Sequence, residues 1–319
     1  MRHDKQLLID TLSLQAESTD IQAQHNIVQY VEEVTGFKAT FDKAGNAYFI
    51  KGSTDVFPCF VAHLDQVHDV CINYSIKDQD GILYAITSDT GIIEQVGTGG
   101  DDLVGVYVCI LALLDLPAVK VALFVDEEIG CVGSSRADLS FFSNCGFIGQ
   151  ADRAGNSDFI SFTNGVQVTS DKMLKAIKPV LQDYGYSTAR GSITDVGELV
   201  CSGVGISSFN ISCGYYDAHM KTECVVIEDV KRLVSLLSDI VTRLQGKQYT
   251  IEVQHSPYGY SYGYGKGFDR WDAWKTPSKT ASAISTEDGI YCDDCYSVLD
   301  SDSIECSYCG AEIENVIPW

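Results

Sequence analysis

The stretch VALFVDEEIGCVGS, residues 121–134, constrains this chain more than any other. An apolar run of strand length ends in three consecutive acids, Asp126, Glu127 and Glu128, and a glycine-containing turn follows. Neighbouring carboxylates repel one another, so a fold that gathers them needs a cation or a shared proton to offset the repulsion. The rest of the chain must therefore bring compensating groups to the end of that strand.

Four other short stretches carry metal-competent side chains at strand ends or in the loops that follow. They are VAHLD with His63 and Asp65, GTGGDD with Asp101 and Asp102, GQAD with Asp152, and GYYDAH with His219. Up to about residue 246, β-branched or aromatic runs alternate with longer periodic segments, as in βα units around a largely parallel sheet. Strands are expected at 46–51, 56–62, 81–87, 119–125, 146–151 and 204–212. Helices are expected at 4–15, at 21–34 with Asp20 as cap, at 101–114 as a buried central helix, and at 227–245 before Gly246. A helix at 170–184 should kink or end at Pro179. In open α/β sheets, sites form where the carboxyl ends of strands converge, so all five stretches can meet there. Two imidazoles and several carboxylates suit a pair of zinc-like ions.

In order and local context, HLD, GGDD, DEEIGCVGS, AD and GYYDAH resemble the co-catalytic di-zinc exopeptidase superfamily, peptidase T and related aminopeptidases above all. The match spans roughly residues 4–245. The resemblance implies a three-layer α/β sandwich with a mostly parallel central sheet, and two divalent ions, zinc first with cobalt or manganese as alternatives. It implies that His63, Asp101 and Asp152 hold one ion and that Asp101, Glu128 and His219 hold the other. Asp65 would orient His63 through its far nitrogen. Glu127 would be the general base toward a metal-bridging hydroxide, and a cis peptide would join Asp101 to Asp102. ARGSITDVGEL, from residue 189, is similar to an Arg-Gly-Gly-Thr-Asp stretch with one residue inserted, which makes Arg190 a candidate substrate anchor. Asp152 and His219 (152 to 219) are 67 positions apart, too close to admit the lid domain that two-domain relatives insert there.

Past residue 250 the composition changes. SPYGYSYGYGKGF opens a Tyr/Gly-rich linker, 251–286, and residues 287–319 form a second unit. There Cys292-x2-Cys295 and Cys306-x2-Cys309 stand ten residues apart, which suits a small zinc ribbon with one structural zinc, although the spacer is shorter than the roughly 15–20 residues common in such sites. A closed four-thiolate site has no open position for catalysis, so scaffolding or docking of a protein partner is its expected role. The other eight cysteines are scattered through apolar runs, the usage of a reducing cytoplasm.

A formal charge of −22 disfavours binding to nucleic acid. The longest apolar run, 103–114, is shorter than the roughly 20 residues that span a bilayer, so no membrane role is expected. These readings lead to a metal-dependent amide hydrolase, an aminopeptidase or dipeptidase acting on short peptides. A deacylase of N-acyl amino acids is the alternative within the same chemistry. A non-catalytic binding scaffold that works through the ribbon is the alternative from another class.

Overall fold

The computed structural model describes residues 1–163 and 165–252, and beyond them the backbone of four strands between 280 and 318. Two compact units divide it, Met1–Tyr262 and Gly263–Trp319.

The first unit begins with α1 (Lys5–Leu12) and α2 (Ile21–Thr35), then β1 (Thr40–Phe41), β2 (Ala47–Lys51) and β3 (Phe57–His63). An excursion follows through β4 (Ser75–Gln79), β5 (Ile82–Thr87) and β6 (Glu94–Val96). The chain returns through α3 (Gly100–Asp115), β7 (Val119–Phe124), β8 (Cys145–Arg153), β9 (Asp158–Thr163) and β10 (Val166–Gln167). Next come α4 (Asp171–Asp183), β11 (Ser187–Gly191), α5 (Asp195–Cys201), β12 (Ser208–Ser212), β13 (Tyr215–Tyr216), β14 (Cys224–Val226) and α6 (Ile227–Leu244).

Nine strands form the central sheet, in the order β1-β2-β7-β3-β8-β12-β9-β10, with β11 beside β9. Its middle, β7-β3-β8-β12, is parallel. β1, β2 and β7 pair antiparallel at one edge, as do β12, β9 and β10 toward the other. The central strands are buried on both faces, as their continuous apolar sequence requires. One face is covered by α1, α2, α3, α4 and α6, whose Leu8, Val28, Val106, Ile177 and Leu237 join one core. The other is covered by α5 and the turns before β8, through Val196, Leu199 and Phe142. The sandwich with helices on both faces is therefore present. Between Asp152 and His219 the chain builds elements that complete it, and then β13.

The expected helices are in place. Asp20 caps α2 by accepting from the Ala23 amide at 3.0 Å, and Gly36 in the left-handed region stops it. α3 is buried nearly all round. α4 fills the expected segment, and Pro179 does not end it. Pro179 is exposed, so water can serve the carbonyl left without its usual donor. The strand expected at 81–87 exists as β5 but leaves the central sheet. It joins a second sheet, β13-β14-β5-β4, with β6 on its flank. Asp80 and Gly81, both with positive φ, close the two-residue hairpin between β4 and β5.

The second unit contains β15 (Thr280–Thr286), β16 (Gly289–Cys292), β17 (Val298–Leu299) and β18 (Glu312–Pro318), in the order β17-β16-β15-β18. β15 begins within the stretch read from sequence as linker, most of which lies outside the described residues. Cys292 ends β16, whereas Cys295, Cys306 and Cys309 lie outside the described residues. No helix among the described residues is long and apolar enough to cross a membrane.

Candidate metal centre

The parallel middle of the sheet sends three chain ends to one place. His63 is the last residue of β3, Glu127 and Glu128 follow β7, and Asp152 lies near the end of β8. Asp101 arrives at the start of α3, and His219 comes from the loop between β13 and β14.

Asp101 occupies the middle. Its Oδ1 lies 3.1 Å from His63 Nε2, and its Oδ2 lies 3.4 Å from His219 Nε2. Asp152 Oδ1 lies 3.6 Å from His63 Nε2, and Glu128 Oε1 lies 3.2 Å from His219 Nε2. Ligand-capable atoms of Asp101, Glu128 and His219 fall within 4.8 Å of one another, as do those of His63, Asp102 and Asp152, and of His63, Glu127 and Glu128. Asp102 is committed to the main chain, accepting from the His63 amide at 3.2 Å and from Gly105 at 3.0 Å. The Asp101–Asp102 peptide is cis.

His63 and Asp65 meet differently from expectation. His63 Nδ1 is 3.0 Å from the main-chain carbonyl of Asp65 and 3.6 Å from its carboxylate. That carboxylate is instead taken up by the acid turn, accepting from the Glu127 amide at 2.8 Å, the Glu128 amide at 3.1 Å and the Ser18 hydroxyl at 2.6 Å. Asp65 thus fixes the backbone that carries both glutamates. Asp126, the third acid, turns away at positive φ and accepts from the Thr19 amide and the Gln24 side chain. The three consecutive acids therefore separate into one anchor and two site groups.

Glycines admit this crowding. Gly99 stands at φ +61°, and a Cβ on Gly100 would lie 2.8 Å from Tyr215 Cβ and 2.9 Å from Val225 Cγ2.

The electrostatics show how much negative charge has gathered. Burial pushes the carboxyls of Asp102 and Asp152 above the ordinary range, and neighbouring carboxylates push them further. Burial likewise raises Glu127, with Asp195, Asp152 and Glu128 adding to it against His63. Asp101 goes the other way: burial opposes ionisation, but His219 and His63 outweigh it. His63 is raised although burial lowers it, because Asp101, Asp152 and Asp65 face it, and His219 is pushed up to about 10 by Asp101 and Glu128. Glu128 Oε1 is buried with no well-aligned hydrogen bond, its near neighbour being the His219 ring nitrogen at 3.2 Å. Buried carboxylate oxygens crowded against two imidazoles form a nitrogen-and-oxygen donor set that fits divalent cations.

Further residues in the network carried no sequence signal of their own. Asp152 Oδ2 faces Gln150 at 3.1 Å, Asn210 at 3.3 Å and Thr194 at 3.4 Å. Gln150 also donates to the buried Asp195. Tyr215 donates to Asp101 Oδ2 at 3.1 Å. Gln150, Tyr215 and the Thr194–Asp195 pair stood inside stretches singled out from sequence, but Asn210 and Glu223 did not. Arg190 is not brought into the cluster; it is exposed on β11 with its guanidinium 5.1 Å over the Phe162 ring. A small cleft opens beside Asp152, lined by Gly191, Ser192, Ile193, Thr194 and Asn210.

The fold is similar to that of solved aminopeptidases and a tripeptidase. No protein-family model and no curated protein matches the chain. Solved structures match it at low identity. The aminopeptidase PepT of Bacillus cereus aligns at TM-score 0.59 and 12% identity, over 74% of this chain and 96% of its own. A tripeptidase of Staphylococcus aureus aligns at 0.58 and 12%, over 75% and 97%. An aminopeptidase of the archaeon Desulfurococcus kamchatkensis aligns at 0.54 and 16%, over 77% and 98%.

Proposed function

We propose that this chain is a di-metal hydrolase that cleaves the amide bonds of short peptides as an aminopeptidase or dipeptidase. The observation that carries the reading is the Asp101 carboxylate held between His63 and His219, with the two glutamates of one turn beside it. The likeness in fold to aminopeptidases and a tripeptidase supports it.

His63, Asp101 and Asp152 would hold one cation, and Asp101, Glu128 and His219 the other. When bound, such ions polarise a carbonyl oxygen and make a water acidic near pH 7. Glu127 is the proton carrier. Its amide is tied to Asp65, its Oε2 stands 4.0 Å from His63 Nε2, and the Cys131 thiol donates to its Oε1 at 3.4 Å. Burial raises its carboxyl, so it holds a proton more readily than a solvent-exposed glutamate. That suits a group that accepts a proton from the attacking water and returns it to the departing amine. Asp65 keeps Glu127 and Glu128 in register, while Gln150, Asn210 and Thr194 aim Asp152. The quartet Cys292, Cys295, Cys306 and Cys309 would hold a structural zinc, on the chemistry of four thiolates alone.

The test is turnover of free dipeptides, tripeptides and N-acyl amino acids by metal-loaded protein, with Glu127→Gln in parallel. Peptide hydrolysis that falls at least about a hundredfold in the variant, with metal content unchanged, is expected for loss of a general base. Turnover confined to N-acyl amino acids would move the assignment to a deacylase, and a fully active variant would remove Glu127 from its role.

A further inference from the structure

We propose that Glu223 is a positioning residue for one ion of this centre, the one assigned to Asp101, Glu128 and His219; the inference rests on the di-metal reading above. Glu223 is fully buried and bears no ligand-capable atom of the cluster. Its Oε1 accepts from the Asp101 amide at 3.1 Å, and its Oε2 accepts from the Gly99 amide at 2.7 Å. His68 Nε2 stands 2.9 Å from the same Oε2.

The placement matters because His219 stands four residues earlier on the same loop. At the loop's other end Tyr215 donates to the Asp101 carboxylate. The two ends of one loop thus grip Asp101, Glu223 by its main chain and Tyr215 by its side chain, and the middle of the loop supplies the neighbouring ligand. Within the loop, Thr222 donates to Asp217 at 2.9 Å and the Glu223 amide to Met220 at 2.9 Å. These contacts shape the turn but do not join it to Asp101. His219 has 51% of its side chain exposed, so burial does not fix its position. His63 and Asp152, by contrast, are set by adjacent parallel strands, β3 and β8.

Asp101 serves both ions in this assignment, so loosening its amide touches both. A residue that only clamps the glycine turn would weaken both alike, whereas a positioning Glu223 weakens more the ion that also takes His219 from its own loop. A carboxylate can accept from Gly99 and Asp101 on separate oxygens, whereas a glutamine would turn an NH2 toward one of those amides.

The experiment titrates metal-free full-length protein with cobalt(II), and with zinc against a competing chelator. Thiolate-to-cobalt absorption separates any uptake by the cysteines from uptake at the carboxylate and imidazole sites. In Glu223→Gln we expect the second ion, the one that takes His219, to weaken by about 10–100-fold, as for other groups that orient ligands, and the other ion to weaken by at least about tenfold less. Hydrolysis should be lost at limiting metal and restored by excess. His68→Asn leaves the two amide contacts in place, and should weaken the same ion by less than about tenfold. Unchanged affinity for both ions in Glu223→Gln, or equal loss of both, overturns the inference. If that variant does not fold by circular dichroism, unchanged second-ion affinity in His68→Asn overturns it. Wild-type protein that takes up fewer than two ions outside the cysteines removes the di-metal reading and this inference together, whereas two ions in wild type and in an unaltered Glu223→Gln remove this inference alone.

Discussion

Asp65→Asn tests how the acid turn is held without any appeal to activity. The wild-type carboxylate is fully buried and accepts from the amides of Glu127 and Glu128 and from the Ser18 hydroxyl. An asparagine has one acceptor oxygen, so its NH2 must face at least one of these donors. An orphaned buried donor costs about 1–3 kcal/mol, and loss of charge assistance on the remaining bonds adds about 1 kcal/mol. The expected destabilisation of metal-free protein at pH 7 is therefore roughly 2–4 kcal/mol, read as a lower urea midpoint at unchanged slope. The pH dependence sharpens the test. Burial pushes the Asp65 carboxyl up, but His63, the Ser18 hydroxyl and the Glu127 amide outweigh it and hold it below its ordinary value of 3.8. A depressed acid contributes stability that is present above the unfolded value and is lost as pH falls through the folded one. The deficit of the variant should thus be full at neutral pH and shrink below about pH 4. A variant within about 0.5 kcal/mol of wild type at pH 7, or a deficit independent of pH, would refute the reasoning.

Other predictions rest on separate features. Elemental analysis of unchelated full-length protein should find close to three ions per chain, and His63→Ala combined with His219→Ala should remove about two, a count set by the two ligand groups and the cysteine quartet. Gly100→Ala forces a methyl against Tyr215 and Val225 and should destabilise by about 1–3 kcal/mol in chemical denaturation, while an equal stability would show that the turn has slack. Burial raises Asp195 from 3.8 to about 6. Folded protein then pays for its ionisation progressively between those values, so Asp195→Asn should stabilise metal-free protein by up to about 3 kcal/mol above pH 6 and by nothing near pH 3. A gain that is larger at low pH would reverse the assigned sign.

Much of this site was legible because its chemistry sits in five short runs, and the strands before three of them are unbroken apolar stretches. Parallel strands put such ends on one edge, so sequence alone suffices to place His63, Glu128 and Asp152 together. The capping of α2 by Asp20 was equally local. What was not legible depends on contacts between distant, ordinary polar residues. Nothing about Asn210 or Glu223 in sequence says which backbone amide or carboxylate each will meet. Asp65 showed the limit from the other side: its closeness to His63 in sequence suggested its partner, whereas the fold brought in two amides from more than sixty residues away. Whether Pro179 ends its helix depends on whether water reaches the freed carbonyl, which periodicity does not report. The strand 81–87 was found but assigned to the wrong sheet, since β-propensity carries no address.

The strand pairing of β5 with β14 has a mechanical consequence. Residues 82–84 lie against 224–226, so the ribbon that departs after His63 also forms the bed on which the stem of the His219 loop rests. Trimming the hairpin at Asp80 and Gly81 would therefore tug on an imidazole well over a hundred positions downstream. In this molecule the segment that looks most dispensable by position is a lever on the exposed end of the candidate metal centre.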